Sequence, residues 1–286
     1  KAVSSLDGVK DVQITMSAKV RGAGNMDNKM QLAIKNIIAI GSGKGGVGKT
    51  TVSVNVAVAL AQTGASVGLL DADIYGPNVP LMMGLKSLPE PKNEKVTPAE
   101  AYGVKVMSIG FLVKPGQPLI WRGPMLHSTL QQFFSEVDWG ELDYLIIDLP
   151  PGTGDAQISI SQIVSVNGGI IVTLPQQASL DDASRGLQMF HRFQPPIPVL
   201  GIIENMSYLD LGDGKQMDVF GAGGGEQLAV QTGTPFLGAL PIDPEVRIGG
   251  DSGVPIVIAK PDSATAKVMK EITGKVASTL SVMAHG

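Results

Sequence analysis

The feature that most constrains this chain is a glycine-rich segment, GKGGVGKTT, which runs from Gly43 to Thr51. It follows the apolar run 36–40 and precedes a stretch, 52–60, whose alternating apolar residues predict a helix. Two glycines five positions apart, followed by Lys-Thr and set between a buried strand and a helix, form the pattern of a phosphate-binding loop. A glycine-rich turn that only joins strand to helix is the alternative. The Lys-Thr pair and the strand–helix setting favour nucleotide binding.

Each part of this loop has an expected role. The glycines let successive backbone N–H groups converge on the β- and γ-phosphates, which also lie at the positive end of the following helix. We expect Lys49 to reach those phosphates and the Thr50 hydroxyl to take one Mg²⁺ position, so that the expected ligands are ATP and Mg²⁺. The loop residues predicted to bind the nucleotide are Gly43, Lys44, Gly45, Gly46, Val47, Gly48, Lys49, Thr50 and Thr51.

A second lysine, Lys44, follows the first glycine of the loop, where an ordinary phosphate-binding loop requires none. This form resembles the deviant loop of the ATPases that include the MinD, ParA and nitrogenase iron-protein families. The resemblance implies a homodimer in which Lys44 reaches the partner's phosphates and stabilises transition-state charge, as an arginine finger does. A solvated surface lysine is the alternative.

Two apolar strands end in carboxylates that suit the rest of a phosphate site. At the end of strand 66–70, Asp71 can accept from Lys44 or from a Mg²⁺-bound water, and Asp73 can orient the attacking water. Asp148 ends the strand 144–147, where phosphate-loop enzymes hold Mg²⁺ through water. Taken alone, the Asp71–Asp73 pair is also an ordinary helix cap. The predicted catalytic residues are Lys44, Lys49 and Asp73, and the predicted metal site is Thr50, Asp71 and Asp148, partly through water.

The loop after Asp148 has the composition of a nucleotide-sensitive switch. Paired prolines stiffen its start, and its glycines let the backbone approach the γ-phosphate. Such a loop is ordered by the third phosphate and released on hydrolysis, although a rigid surface turn has the same composition. The predicted switch residues are Pro151, Gly152, Thr153, Gly154 and Asp155.

Two more strand ends are candidates for contact with the base. Asn205 follows the strand 199–203, and its amide offers the donor and acceptor that suit the rim of adenine. Pro241 and Asp243 follow the strand 236–240, where a second base-contacting loop is expected. A capping Asn or a turn Asp explains these residues equally well.

The order of elements predicts an α/β fold, a three-layer α/β/α sandwich with a mostly parallel sheet, of the deviant-Walker P-loop NTPase class. From residue 37 onward strands and helices alternate, and the continuous apolar runs suit strands covered on both faces. Right-handed crossovers would place the functional loops at the carboxyl edge. Residues 31–286 form the predicted ATPase domain. Residues 1–30 are interpreted as the C-terminal remnant of a small α+β domain plus a linker, or as an extra edge strand.

Composition narrows the possible partners. The chain has 286 residues, 17% of them charged, with a net charge of −4, which argues against non-specific nucleic-acid binding through the whole surface. No apolar run approaches the roughly 20 residues that span a bilayer, and the first ten residues lack the apolar core of a signal peptide. We therefore expect a cytoplasmic protein without nucleic-acid or membrane partners. The C-terminal helix 263–283 either packs on the sheet or lies on a membrane.

Eight segments between residues 36 and 260 form a recognisable set: GSGKGGVGKTT, LLDADIYGPNVP, MSIGFLV, WRGPMLHSTLQQF, DWGELDYLIIDLPPGTGD, ENMSY, FGAGGGEQLA and GALPIDPEVRIGGD. Taken together, they resemble the Mrp/ApbC family, whose members are described as iron–sulfur cluster carrier ATPases. The resemblance implies a homodimer that holds a [4Fe–4S] cluster between subunits, with iron–sulfur apoproteins or scaffold proteins as partners.

One part of the family pattern is missing. The family's Cys-x-x-Cys falls, by an ungapped count, on Leu211 and Gly214, in a segment that predicts a Gly-Asp hairpin turn. The chain contains no cysteine, which argues against an iron–sulfur cluster held by this chain alone. A nucleotide-gated switch without cluster cargo is therefore a second hypothesis. A MinD/ParA-like positioning ATPase is a third, and the WRGPMLH and PPGTGD segments disfavour it.

Overall fold

The structure, a computed structural model, describes residues 29–92, 94–112 and 123–285. The small-domain remnant predicted within residues 1–30 lies almost entirely outside the described residues. Within the described ranges the strands are β1 (Ile34–Ser42), β2 (Val67–Asp71), β3 (Ala99–Ala101), β4 (Val104–Ser108), β5 (Leu142–Asp148), β6 (Gly168–Thr173), β7 (Val199–Glu204), β8 (Leu209–Gly212), β9 (Lys215–Met217) and β10 (Phe236–Ala239).

Helices connect most of these strands. A short 3₁₀ turn, Ile109–Leu112, follows β4. The α-helices of the described residues are α1 (Lys49–Gln62), α2 (Val79–Met82), α3 (Gly123–Ser135), α4 (Asp155–Ile163), α5 (Gln177–Arg192), α6 (Gly224–Thr232), α7 (Pro244–Ser252), α8 (Ile256–Ala259) and α9 (Ala264–Met283).

Eight strands form one sheet in the order β10-β7-β6-β1-β5-β2-β4-β3. Neighbouring strands are parallel except at the β3 edge, where β3 runs antiparallel to β4. The central strand β1 pairs with β5 on one side and with β6 on the other. The strand order therefore reverses at β1, with β5, β2, β4 and β3 on one side and β6, β7 and β10 on the other. The loops that follow β1 and β5 lie side by side at the carboxyl edge, where open α/β sheets bind their ligands.

Two apolar clusters, one on each face of the sheet, complete the predicted three layers. The first is built on α1, α8 and α9, with buried side chains such as Val56, Val257 and Ile272. The second is built on α3, α4, α5 and α6, with Phe134 and Phe190 among its largest buried side chains. Because both faces are covered, β1, β2, β5 and β6 are almost continuously buried, which explains their uninterrupted apolar sequences.

Several details refine the predicted elements. The Pro- and Lys-containing segment 85–102 predicts a long loop, and that prediction is wrong at its end, because Ala99–Ala101 forms β3. Its three residues are too few to show a two-residue periodicity. The hairpin predicted around Leu211 is present as β8 and β9. Helix α9 buries Met269, Val276 and Leu280 against the core and packs on α1. No helix among the described residues is long and apolar enough to cross a membrane.

Candidate functional site

The glycine-rich loop leaves β1 and enters α1 at Lys49, as the sequence predicts. Gly46 and Gly48 have φ angles of +80° and +83°, which favour glycine because a Cβ atom is strained there. Gly43 is required for a different reason, namely packing. A Cβ atom at this position would lie 2.1 Å from the backbone carbonyl carbon of Asp182 in α5. The glycine-rich loop therefore packs directly against α5.

Lys49 is the cation at the centre of the site. Its side chain is 5% exposed, and Nζ lies 2.8 Å from Asp148 Oδ1 and 3.5 Å from Asp73 Oδ2. Asp148 comes from the end of β5 and Asp73 from the loop after β2, so the parallel topology brings the three residues together. Three residues predicted separately for the site therefore lie together at the carboxyl edge, although the sequence does not predict the pairing of Lys49 with the two carboxylates.

Asp148 is fully buried, and two hydroxyl groups donate hydrogen bonds to its carboxylate. Oδ2 accepts a hydrogen bond from Thr50 Oγ1 at 2.8 Å, and Oδ1 accepts one from Ser53 Oγ at 2.6 Å. Ser53 was not predicted from the sequence. It lies one turn after Lys49 on α1, on the face that packs against β5, and its hydroxyl also donates to the Lys49 carbonyl oxygen. Helical spacing from Lys49 is the signal that could have identified it.

Asp71 lies deeper than Asp73. Its carboxylate is fully buried and accepts from Ser108 Oγ at 2.8 Å, from the Asp73 backbone N–H at 3.1 Å and from the Val79 backbone N–H at 3.3 Å. Burial, and next the charge of Asp148, raises the pKa of Asp71 to about 8. These contacts make Asp71 the residue that fixes the loop carrying Asp73. A role as a metal ligand stays a prediction.

The Asp73 carboxylate is aimed at the phosphate loop. Oδ1 accepts from the backbone N–H groups of Tyr75 and Gly76, at 3.2 and 3.3 Å, which leaves Oδ2 on the side of Lys49. Burial raises the pKa of Asp73, and the Lys49 charge opposes that shift. A carboxylate held in this way can accept a hydrogen bond or a proton from a water molecule beside the loop.

The site suits a hard divalent cation that is shared with a nucleotide. Oxygen atoms of Thr50 and Asp148 lie together here. The carboxylates of Asp71 and Asp148 repel each other, and a bound cation would offset their negative charge. Among the described residues, no group of three or more His, Cys, Asp or Glu side chains could hold a metal ion. Mg²⁺ fits this pattern, because it is commonly bound by one or two protein oxygens together with substrate phosphates and water.

The predicted switch loop is tied to the phosphate loop and to α4. The Gly152 N–H donates to the carbonyl oxygen of Ser42, at 2.8 Å, just before the glycine-rich segment. Gln157, which is buried and was not predicted, spans the loop: its Nε2 donates to the Pro150 and Gly152 carbonyl oxygens at 2.8 and 3.0 Å. Its Oε1 accepts from the Gly154 N–H at 2.9 Å. A Gln at the third position of a helix is a known capping signal that the sequence does show.

The predicted base contacts line one cavity of about 520 Å³ beside Gly48 and Thr51. Asn205 reaches the back of the phosphate loop, because its Nδ2 donates to the Val47 carbonyl oxygen at 2.8 Å. Pro241 and Asp243 line the same cavity. The Asp243 carboxylate accepts from the Glu245 N–H at 2.9 Å and from Thr265 Oγ1 at 2.6 Å, so it caps α7 and joins it to α9. Contact of these residues with a base stays a prediction.

Lys44 is more exposed than Lys49, and both residues line the same cavity. Lys44 is half-buried and lines the open cavity of about 450 Å³ in front of the loop, together with Tyr75, which is 82% exposed, and Pro151. A role for Lys44 across a dimer interface stays a prediction.

The positions that correspond to the missing cysteines lie on the β8–β9 hairpin. Leu211 is 53% exposed, and Gly214 has a φ angle of +73° in the turn. Neither residue offers a metal-binding side-chain atom. The chain just before the hairpin is held in place, since the Tyr208 carbonyl oxygen accepts from the Ile242 N–H at 2.6 Å. The residues present therefore do not fit an iron–sulfur cluster.

Comparison with known sequences identifies the family. The family described as NUBPL iron-transfer P-loop NTPase, a ParA type, matches residues 33–277. An iron–sulfur cluster carrier protein of Synechocystis sp. is 51% identical over 99% of this chain and 82% of its own length. A protein of the same description from Pseudomonas fragi is 44% identical over 95% of this chain and 96% of its own length. The iron–sulfur cluster transfer protein NUBPL of Dictyostelium discoideum is 45% identical over 87% of this chain and 78% of its own length.

Solved structures agree with the fold. A nucleotide-binding protein from Archaeoglobus fulgidus, in complex with ADP, superposes with a TM-score of 0.67 at 37% identity, over 77% of this chain and 87% of its own. The cell division ATPase MinD of Pyrococcus furiosus superposes with a TM-score of 0.64 at 23% identity, over 85% of this chain and 99% of its own. The second likeness bears on the fold alone.

Proposed function

This chain belongs to the NUBPL-type ParA family of iron-transfer P-loop NTPases, and we propose that it is a Mg²⁺-dependent ATPase whose hydrolysis drives a homodimeric switch. A cytoplasmic location and partners among iron–sulfur apoproteins or scaffold proteins are part of this proposal. The observation that carries it is the position of Lys49, with its ammonium between the carboxylates of Asp148 and Asp73 at the end of a glycine-rich loop. The ADP complex of the Archaeoglobus fulgidus relative supports nucleotide binding.

In the proposed reaction, water attacks the γ-phosphate of ATP. Lys49 stabilises charge on the β- and γ-phosphates, and Thr50 with Asp148 would hold Mg²⁺, which offsets phosphate charge when bound. Asp73 orients the attacking water through Oδ2, because Oδ1 is held by Tyr75 and Gly76. Loss of the γ-phosphate would then release the loop 151–155, whose link to the phosphate loop passes through Gly152 and Ser42.

Lys44 is proposed to complete the site of the partner protomer. If it does, Lys44→Ala retains ATP binding and loses hydrolysis, and so does Asp73→Ala. A dimer that contains one protomer of each kind has one complete site, because the Asp73→Ala protomer supplies Lys44 to its partner. We expect an equimolar mixture to recover about a quarter of the wild-type phosphate release, since half of randomly formed dimers are mixed.

The matched control for this mixture is Lys44→Ala combined with the double variant Lys44→Ala/Asp73→Ala, which contains no Lys44 in any protomer. No activity should return in that mixture. If the first mixture is as inactive as the control, Lys44 acts within its own subunit, whereas wild-type phosphate release by Lys44→Ala alone would mean that Lys44 has no role in hydrolysis.

An iron–sulfur cluster, as cargo, needs ligands that this chain does not have. Fe–S clusters are held mainly by thiolates, with His as the usual substitute, and the chain has no cysteine. We expect the purified protein to stay free of iron and acid-labile sulfide after anaerobic reconstitution, and to release phosphate from ATP at the same rate before and after. A stoichiometric [4Fe–4S] absorbance in the unmodified chain would contradict this expectation. The double variant Leu211→Cys/Gly214→Cys tests the position directly, with Leu211→Ser/Gly214→Ser as its control.

A further inference from the structure

A groove between α4 and α5 lies outside the nucleotide site. It is an open cavity of about 660 Å³, and its apolar surface includes Ile158, Met189 and Phe193. Ile158 is 45% exposed although it is a large apolar side chain, and Met189 and Phe193 are only partly buried against the core. The groove therefore offers apolar contact area that the described part of the chain does not cover.

The charge of the groove is opposite to that of the protein as a whole. Arg185 and Arg192 line it, and no Asp or Glu is among the described residues that do. The Arg185 guanidinium pairs with Asp182 at 2.7 Å, outside the lining. In a chain with a net charge of −4, a lining of two arginines beside apolar side chains is complementary to an acidic partner that also carries apolar side chains.

Both walls of the groove are connected to the nucleotide site. Wall α4 begins at the end of the switch loop, and Thr153 of that loop lines the groove. The other wall, α5, carries Asp182. The Asp182 backbone packs against Gly43 of the phosphate loop, and its carboxylate accepts a hydrogen bond from Arg185. A movement of either loop would therefore change the width of the groove or the position of a lining arginine.

We propose that the α4–α5 groove docks an acidic protein segment with apolar side chains, and that the bound nucleotide adjusts its affinity. Acidic side chains of the segment pair with Arg192 and Arg185 at the rim, and its apolar side chains cover Ile158, Met189 and Phe193. Docking itself is independent of the proposed ATPase function, whereas the response to nucleotide rests on it.

The test uses the full chain and a short fluorescein-labelled peptide in which glutamates flank a Leu-Phe pair, with fluorescence anisotropy as the readout. We expect saturable binding that weakens with added salt, and no binding of the matching lysine peptide. Arg192→Glu should lower the affinity for the glutamate peptide by about tenfold or more. Lys267→Glu makes the same charge change on α9, at the opposite face of the sheet, and should leave the affinity unchanged. Basal phosphate release should be equal in both variants.

Several outcomes would overturn the proposal. One is no binding of the glutamate peptide, and another is equal binding by the Arg192→Glu and Lys267→Glu chains. Self-association lost only in Arg192→Glu would assign the groove to a second copy. Binding of a short DNA duplex or of anionic vesicles through Arg192 would assign it to those partners instead.

The nucleotide response has its own control. Mg²⁺ with a non-hydrolysable ATP analogue, compared with ADP, should change the peptide affinity by about fivefold or more. Lys49→Ala should bind the peptide without responding to nucleotide. Equal peptide affinities with the analogue and with ADP in the wild-type chain would refute the coupling and leave the docking site standing.

Discussion

Replacing Lys49 with alanine is expected to remove tight ATP binding. The Lys49 ammonium is the buried cation of the phosphate loop, and each charge-assisted hydrogen bond it makes to a phosphate is worth about 1.5–3 kcal/mol. Loss of contacts to two phosphates corresponds to roughly a thousandfold weaker binding. Isothermal titration calorimetry with Mg·ATP should therefore show little heat for Lys49→Ala under conditions that saturate the wild-type chain.

The same substitution also affects the fold, and the two effects can be separated. Asp148 is fully buried, so removing its cation costs about 3–5 kcal/mol of folding stability if the carboxylate stays charged. Circular dichroism at the titration temperature establishes that the variant is folded. Lys35→Ala, which removes the more exposed pair with Asp143, is the control and should bind ATP normally. An unchanged ATP affinity in folded Lys49→Ala would refute the phosphate-loop interpretation.

The second large effect is expected for Gly43→Ala. A methyl group at this position would lie 2.1 Å from the Asp182 carbonyl carbon and 2.5 Å from the Ala183 backbone nitrogen. Backbone atoms of a packed helix cannot move aside as a side chain can, so the loop or α5 must shift. We expect a loss of about 3 kcal/mol or more, a fall in Tm of roughly 6–12 °C and a loss of ATP binding.

Gly45→Ala is the matched control, two positions along the same loop. Its Cβ atom would come no closer than 3.9 Å to the Pro151 side chain, which is an ordinary contact. Differential scanning calorimetry of the two variants should show a shift for Gly43→Ala and almost none for Gly45→Ala. Equal shifts would mean that contact with α5 is not what requires glycine at residue 43.

The sequence predicts which residues meet at the centre of the candidate site, because most of them lie in one local segment. Gly43 to Thr51 is one contiguous segment, and Asp148 ends an apolar strand that parallel topology brings to the same edge. The family resemblance is confirmed by the sequence comparisons, and the three-layer fold by the structure. Positive φ angles at Gly46 and Gly48 follow from the same pattern.

What the sequence does not predict depends on contacts between distant segments. The sequence shows the capping position of Gln157 but not its hydrogen bonds to the Pro150 and Gly152 carbonyl oxygens. The sequence predicts Asp243 beside the base and does not reveal that its carboxylate also bonds to Thr265, 22 residues away. The reason for glycine at residue 43 lies in α5, whose approach no local spacing reveals.

The most direct test of the account is phosphate release from Mg·ATP by the purified, iron-free chain, measured over a range of protein concentrations. A dimeric ATPase that needs Lys44 from a partner is predicted to release phosphate with a specific activity that rises with protein concentration and then reaches a plateau. The Lys49→Ala chain should show none of this activity. Phosphate release no greater than that of Lys49→Ala at every concentration would contradict the proposed function.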